Sequence, residues 1–164
     1  MKLKHIMTGF VLVALMASPA LAKDKLGYVD LSRLFDEYYK TQDYDATLEG
    51  QHKNFEQERN TKIEAIREAQ GKLGLLNEEK KAELEEQIEQ MKADLLEFDR
   101  QKKADLTKER NEKIREILLE IENEVSSYAE KEGFAMILND RVLVYGNPAI
   151  DLTEQILEKL NTRK

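Results

Sequence analysis

From Leu31 to Glu132 the chain contains no proline, and its only glycines there are Gly50, Gly71 and Gly74. Nothing constrains the fold more. A long charged run without breakers reads as helix, because straight-chain residues lose little freedom in a helix and proline is the residue that ends one. The one clustered weakness is Gly71-Lys72-Leu73-Gly74-Leu75-Leu76-Asn77. Asn77 before Glu78-Glu79 predicts a fresh N-cap with acids in the first turn. Two helices of this size would each be roughly 60–80 Å long, too long for a compact globule. The expectation is an extended antiparallel hairpin with its tip near 71–77.

The apolar spacing fits that picture. Leu84, Leu95, Leu106, Ile117 and Tyr128 recur every eleven residues, as do Tyr44, Phe55 and Ile66. Eleven residues over three turns keeps the seam nearly straight or slightly right-handed, whereas strict heptads would coil to the left. With the tip at Leu75, residue i faces about 150−i. The basic band 100–115 (Arg100, Lys102, Lys103, Lys108, Arg110, Lys113 and Arg115 against three acids) then faces 35–50, with Asp36, Glu37, Asp43, Asp45 and Glu49 against Lys40. Each such pair is worth only about 0–1 kcal/mol, so the expected value of the match is in setting register. In mid-arm the seam thins. Gly50-Gln51-His52-Lys53-Asn54 has no apolar residue, and Phe55 stands nearly alone before Ile63. A bend is expected near Gly50.

The ends of the chain read differently. Leu26, Tyr28 and Val29 suit a strand, and Asp30 caps a helix beginning at Leu31. Gly133 stops the long helix. Phe134–Leu138 and Val142–Tyr145 are apolar runs about Asn139-Asp140-Arg141, which predicts a tight β-hairpin. Asp151-Leu152-Thr153-Glu154 looks like a capping box opening a last helix with Ile156, Leu157 and Leu160. One strand precedes the arm and two come after it. The expected organisation is a mainly α fold with a small β body. The body is residues 23–35 plus 128–164, with a helical arm over 36–127 inserted between them. Some 50 residues, roughly, make a marginal core, and strands apolar on both faces want cover on both sides. The body is therefore expected to oligomerise through Leu26, Val29, Ile137, Leu138, Val142 and Val144.

The N-terminus has Lys2, Lys4 and His5, an apolar run from Ile6 to Met16, and small residues at Ala20 and Ala22. These are the parts of a signal peptide, here expected over residues 1–22 with cleavage after Ala22; a bilayer-spanning helix would need about 20 apolar residues. Cleavage removes Lys2 and Lys4 and no acid, leaving 24 of the 26 basic residues against 33 acidic ones, a net charge of −9. Nucleic-acid binding needs a basic surface and is not expected. An exported chain with no cysteine has no disulfide framework. No P-loop, G-x-G-x-x-G or G-x-S-x-G occurs, so no enzyme and no cofactor is expected. His52 is three residues after Glu49, but carboxylate di-metal sites need that pair twice, and a solvated histidine is the expectation. Paired carboxylates such as Glu78-Glu79 and Glu85-Glu86 belong to solvated helix faces. Phe35, Tyr38, Tyr39 and Tyr44 are expected to pack where arm meets body.

Residues Leu26-Gly27-Tyr28-Val29-Asp30-Leu31 with Leu34-Phe35, and later Gly133-Phe134, Ile137-Leu138-Asn139, Val142-Leu143-Val144-Tyr145 and Pro148-Ala149-Ile150-Asp151-Leu152-Thr153, resemble the Skp/OmpH family of periplasmic chaperones. The resemblance runs through the mature chain. It implies a homotrimer whose strands pool into a central β body, with three arms around a cavity that holds unfolded outer-membrane proteins without ATP. Client contacts would fall on scattered arm residues: Phe55, Leu95, Phe98 and Leu106, and Leu73, Leu75 and Leu76 at the tip. One feature departs from the family, whose best-known members are basic. Here a positive surface for anionic lipid or lipopolysaccharide is confined to the band 100–115, opposite an acidic helix. The competing reading is a structural coiled-coil spacer or adaptor of the envelope, which would need a well-knit seam.

Overall fold

The computed structural model describes residues 25–162; the leader expected over residues 1–22 lies outside them. A short strand β1 (Lys25–Val29) leads into α1 (Leu31–Glu37) and α2 (Tyr39–Lys72). A 3-10 turn over Leu73–Leu75 leads to α3 (Glu78–Glu132), strand β2 (Phe134–Asn139) and, after two further 3-10 turns, α4 (Thr153–Thr162). At 1.5 Å per residue, the 55 residues of α3 and 34 of α2 extend for about 80 and 50 Å. They pack antiparallel as the expected hairpin.

The local signals act as the sequence predicts. The Asp30 side chain accepts from the Arg33 N–H at the start of α1. Asn77 does the same for Lys80 at the start of α3, with Glu78 and Glu79 in the first turn. Gly133 ends α3 with φ at 71°, the left-handed region where a side chain is disfavoured.

Three expectations are corrected. First, the helix from Leu31 is not continuous: Tyr38, with ψ of 127°, divides α1 from α2. Second, no β-hairpin joins 134–138 to 142–145. β2 pairs parallel with β1, Leu26 beside Met136 and Tyr28 beside Leu138. The arm returns the chain to the side it left, so the whole hairpin acts as the crossover a parallel pair requires. The Asn139 side chain accepts from the Arg141 N–H and opens a 3-10 turn over Asp140–Val142 instead of a reversal. The residues after it pass over the Tyr28 ring, where a Cβ on Gly146 would lie 2.7 Å from the ring. Third, the capping box is only half formed. The Asp151 carboxylate accepts from the Thr153 N–H and hydroxyl. Glu154 turns instead to Arg33, 2.7 Å away, because a guanidinium on α1 offers a stronger partner than a backbone amide.

The core sits where arm and body meet. Leu34 of α1, Ile117 and Ile121 of α3 and Ile156 of α4 are completely enclosed, joined by Val29, Tyr38, Tyr44, Leu152, Leu157 and Leu160. The amphipathic α4 closes this cluster. Its start presses on β1 so closely that a Cβ on Gly27 would collide with the Leu152 side chain. The Leu152 N–H donates to the Tyr28 carbonyl at 2.9 Å, and the Asp30 N–H donates to Thr153 Oγ1 at 2.9 Å.

The register along the arm also differs from 150−i. Gln51 bonds Glu109, Arg59 bonds Asp99 and Lys40 bonds Glu120, each eight to ten residues further along α3 than expected. The eleven-residue repeat is the cause. A shift of about one repeat puts seam residues opposite seam residues again, so apolar spacing cannot separate the two registers.

Candidate functional site

Two surfaces could do work, one at each end of the molecule. On the two-stranded sheet, side chains alternate between faces. Val29 and Ile137 belong to the inward face, Val29 within the core and Ile137 against it. Leu26, Met136 and Leu138 lie on the other face and are exposed, Leu26 at 53%. Val142, at the end of the 3-10 turn, and Tyr145 beyond it are largely exposed, and Val144 fully so. Of the six residues expected to associate, Leu26 and Leu138 are exposed on the outer face of the sheet, Val142 and Val144 are exposed in the segment after it, Val29 lies in the core and Ile137 packs against it. The outer edge of β2 has no strand beside it among the described residues. Met136 is not singled out by the sequence, because only the sheet register shows which side chains of Phe134–Leu138 face outward; Tyr145 and Ile150 are also exposed in the segments after β2.

The arm residues separate in the same way. Phe55 is buried against α3, its ring stacked on Phe98 with centroids 5.7 Å apart. Lys62 and Lys102 reach over the Phe98 ring, at 5.1 and 6.0 Å from its centroid. Leu95, Phe98 and Leu106 are half-buried, as are Leu73 and Leu76 at the tip, while Leu75 is 85% exposed. The sequence reading missed two exposed leucines, Leu96 at 73% and Leu119 at 56%. Each belongs to a doubled leucine, Leu95-Leu96 and Leu118-Leu119. Neighbouring helix positions are about 100° apart, so both members cannot enter one narrow seam, and that was the signal available.

Charges at the arm root form a local network. The Tyr38 hydroxyl donates to Glu120 at 2.8 Å, and Lys40 Nζ reaches both oxygens of the same carboxylate at 2.7–2.8 Å. Burial and then the Glu120 bond push the Tyr38 hydroxyl up to about 12. For Glu120, burial raises the carboxyl pKa, but the bonds from Lys40 and Tyr38 outweigh it and leave the pKa lowered. Higher up, the basic band pairs chiefly within α3: Arg100 with Glu97, Lys108 with Glu112 and Lys113 with Glu116. Among the described residues no ion pair joins it to the acids of residues 36–49, and the shifted register brings only the 45–49 end of that segment opposite the band. His52 lines a shallow cleft with Phe55, Lys103 and Arg110. Among the described residues no three potential metal ligands come together. No described helix is long and apolar enough to cross a membrane.

Buried polar atoms without hydrogen-bond partners mark the seam: Thr41 Oγ1, the Tyr44 hydroxyl, Gln51 Oε1 and Asp99 Oδ1. Each such group costs about 1–3 kcal/mol. The two long helices are thus held by a thin apolar stripe with polar defects.

The sequence matches the family model described as "Outer membrane protein (OmpH-like)" over residues 25–160. The fold is similar to the crystal structure of an OmpH-like protein from Caulobacter crescentus CB15, proposed to be an outer membrane chaperone. The TM-score is 0.79 at 12% identity, covering 90% of this chain and 88% of that one. No curated protein matches the sequence. With the family model spanning nearly all the described residues, this chain belongs to the OmpH-like (Skp) family of periplasmic, non-enzymatic outer-membrane chaperones.

Proposed function

We propose that this chain is an ATP-independent holdase that assembles as a homotrimer through its body and shelters unfolded outer-membrane proteins between its arms. The observation that carries the reading is the exposed apolar outer face of the sheet, Leu26, Met136 and Leu138, with Val144 exposed in the segment that follows, beside the edge of β2 that has no strand next to it among the described residues. Exposed apolar patches of this kind mark association sites, and a free strand edge is a template for another chain. Three copies joined there hold three arms around a common space. Export across the inner membrane, with cleavage after Ala22, places the assembly where such clients pass.

The arm offers a client little at any one point. Leu75, Leu96 and Leu119 are far apart in the sequence of the hairpin, and Phe98 is half-covered. With about 25 cal/mol available per Å² of apolar burial, holding must come from many weak contacts and from the multivalency of three arms. Weak distributed contacts also release without fuel.

The test is light scattering as an unfolded outer-membrane β-barrel protein is diluted from urea, without nucleotide. The full protein should suppress aggregation. A variant with residues 50–108 replaced by a short turn, which keeps Tyr44 and Ile117, should remain an oligomer and not protect. Protection by the armless variant would move the client site to the body and favour the adaptor reading.

A further inference from the structure

Between Leu31 and Lys72 the helical backbone is interrupted at one residue, Tyr38, with φ of −70° and ψ of 127°. Nothing local demands it. No proline or glycine lies between Leu31 and Glu49, and the Tyr38 side chain makes no capping hydrogen bond. A break of this kind strands carbonyl groups at the end of α1 and N–H groups at the start of α2, which need partners from elsewhere.

The partner comes from the other end of the chain. Asn161, in the last turn of α4, accepts from the Tyr39 N–H through Oδ1 at 2.9 Å. It donates to the Glu37 carbonyl through Nδ2 at 3.2 Å. One side-chain amide thereby caps the C-terminus of α1 and the N-terminus of α2 together. A carboxylate could serve the N–H but not the carbonyl, and an amine only the carbonyl. α4 is itself held rigidly: Ile156, Leu157 and Leu160 are buried, and Glu154 is bonded to Arg33, which also grips Glu37. On the arm side of the break, Tyr38 and Lys40 are tied to Glu120 of α3.

We propose that Asn161 is a positioning residue that fixes the helix break at Tyr38, so that α4 acts as a bracket setting the direction in which the arm leaves the body. With the amide gone, the Glu37 carbonyl and the Tyr39 N–H lose the partner that Asn161 supplies, and a helical Tyr38 would let both bond within one continuous helix. α1 and α2 then tend to merge, and the arm re-aims. The inference concerns the chain's own geometry and stands whatever the arms hold.

The test uses the mature, full-length protein with Asn161→Ala and Asn161→Asp. The first readout is amide exchange at Tyr39. Losing one hydrogen bond should speed it about tenfold in the alanine variant. The aspartate variant keeps the acceptor and should stay within about twofold of wild type. The second readout is the distance distribution between spin labels at Gln155→Cys and Lys80→Cys, both exposed positions. It should broaden with alanine and, to a smaller degree, with aspartate, which cannot hold the Glu37 carbonyl. If alanine lowers helix content, the aspartate variant decides alone: a broadened distribution with Tyr39 still protected supports the bracket. Wild-type behaviour of both variants in both readouts overturns it. So does loss of Tyr39 protection with aspartate equal to that with alanine, since α4 packing and not the amide would then hold the junction.

Discussion

The root of the molecule and the length of its arm are built on opposite terms. At the root, Leu34, Ile117, Ile121 and Ile156 are completely enclosed and five elements, β1 and the four helices, share one cluster. Above Tyr44, the fully buried apolar residues are Phe55, Ile66 and Ile88, strung along a hairpin some 50 Å long. The root is a small cooperative core with one wet apolar face. The arm is a seam held at intervals, with charges serving solubility more than attachment. On the function proposed above, a chain so divided would be firm where it meets its copies and compliant where it holds shapeless clients, because local opening is cheap wherever buried contacts are few.

The strongest way to break this comparison is to put a charge at each kind of apolar site at the root, one enclosed and one open. Ile121→Asp would bury an unpaired carboxylate in the core, costing about 3–5 kcal/mol, and should abolish the cooperative thermal transition seen by circular dichroism. Val144→Asp adds a charge to a side chain already in water. It should leave helix content unchanged and shift sedimentation toward the monomer. If Val144→Asp lowered helix content as Ile121→Asp does, the enclosed and the open apolar sites would not be distinct.

Next in size is the middle of the arm. Phe55→Ala removes the ring that stacks on Phe98; full core truncations of this type cost about 3–5 kcal/mol, and a one-stripe seam should lose less. Amide exchange should accelerate around 51–59 and 98–106, while residues 117–121 stay protected. Acceleration spread evenly to the root would mean that arm and body open as one unit.

Smaller effects come from the clasp at the junction. Glu120 titrates below its ordinary range, so its contribution is present above about pH 4.5 and is lost as pH falls through the lowered value. Tyr38 titrates near 12 against an ordinary 10.0, so its contribution is full below pH 10 and lost as pH climbs toward 12. In a plot of melting temperature against pH, Glu120→Gln should flatten the acid limb and, since burial of Tyr38 remains, only part of the alkaline one. A variant with the wild-type profile would show that the clasp carries no pH-dependent stability.

The smallest effect sharpens the idea of compliance. Gly50 lies within α2, and a Cβ there meets nothing within 4 Å. Gly50→Ala should stiffen the arm by about 1 kcal/mol, slowing exchange at 49–54 with no change in the root. No slowing would remove Gly50 as the site of a mid-arm bend.

How much of this was legible in the sequence depended on where each cause lay. Asp30, Asn77 and Gly133 act on their own neighbours, and each could be read in place. The hairpin was legible because a proline-free charged run admits little else. Register was not, since an eleven-residue repeat matches itself after one step. The break at Tyr38 was invisible for a different reason: its partner, Asn161, is 122 residues from Tyr39. The open and closed faces of the body were mixed together because Phe134–Leu138 is apolar throughout and only the pairing with β1 assigns its sides. The same limit hid Leu96 and Leu119, whose neighbours took the seam.

The parallel pairing of β1 with β2 also dictates an order of events. Leu26 and Met136 are strand partners, yet nearly the whole chain must be delivered before the second can meet the first. Closing so long a loop from a random coil carries an entropic cost that grows with its length. The arm removes most of it. Its tip can nucleate from local contacts and zip downward, which draws the two strands together as it goes. The hairpin is therefore an assembly jig for the body before it is anything else. During delivery, the apolar β1 waits unpaired until about the last fifth of the polypeptide arrives.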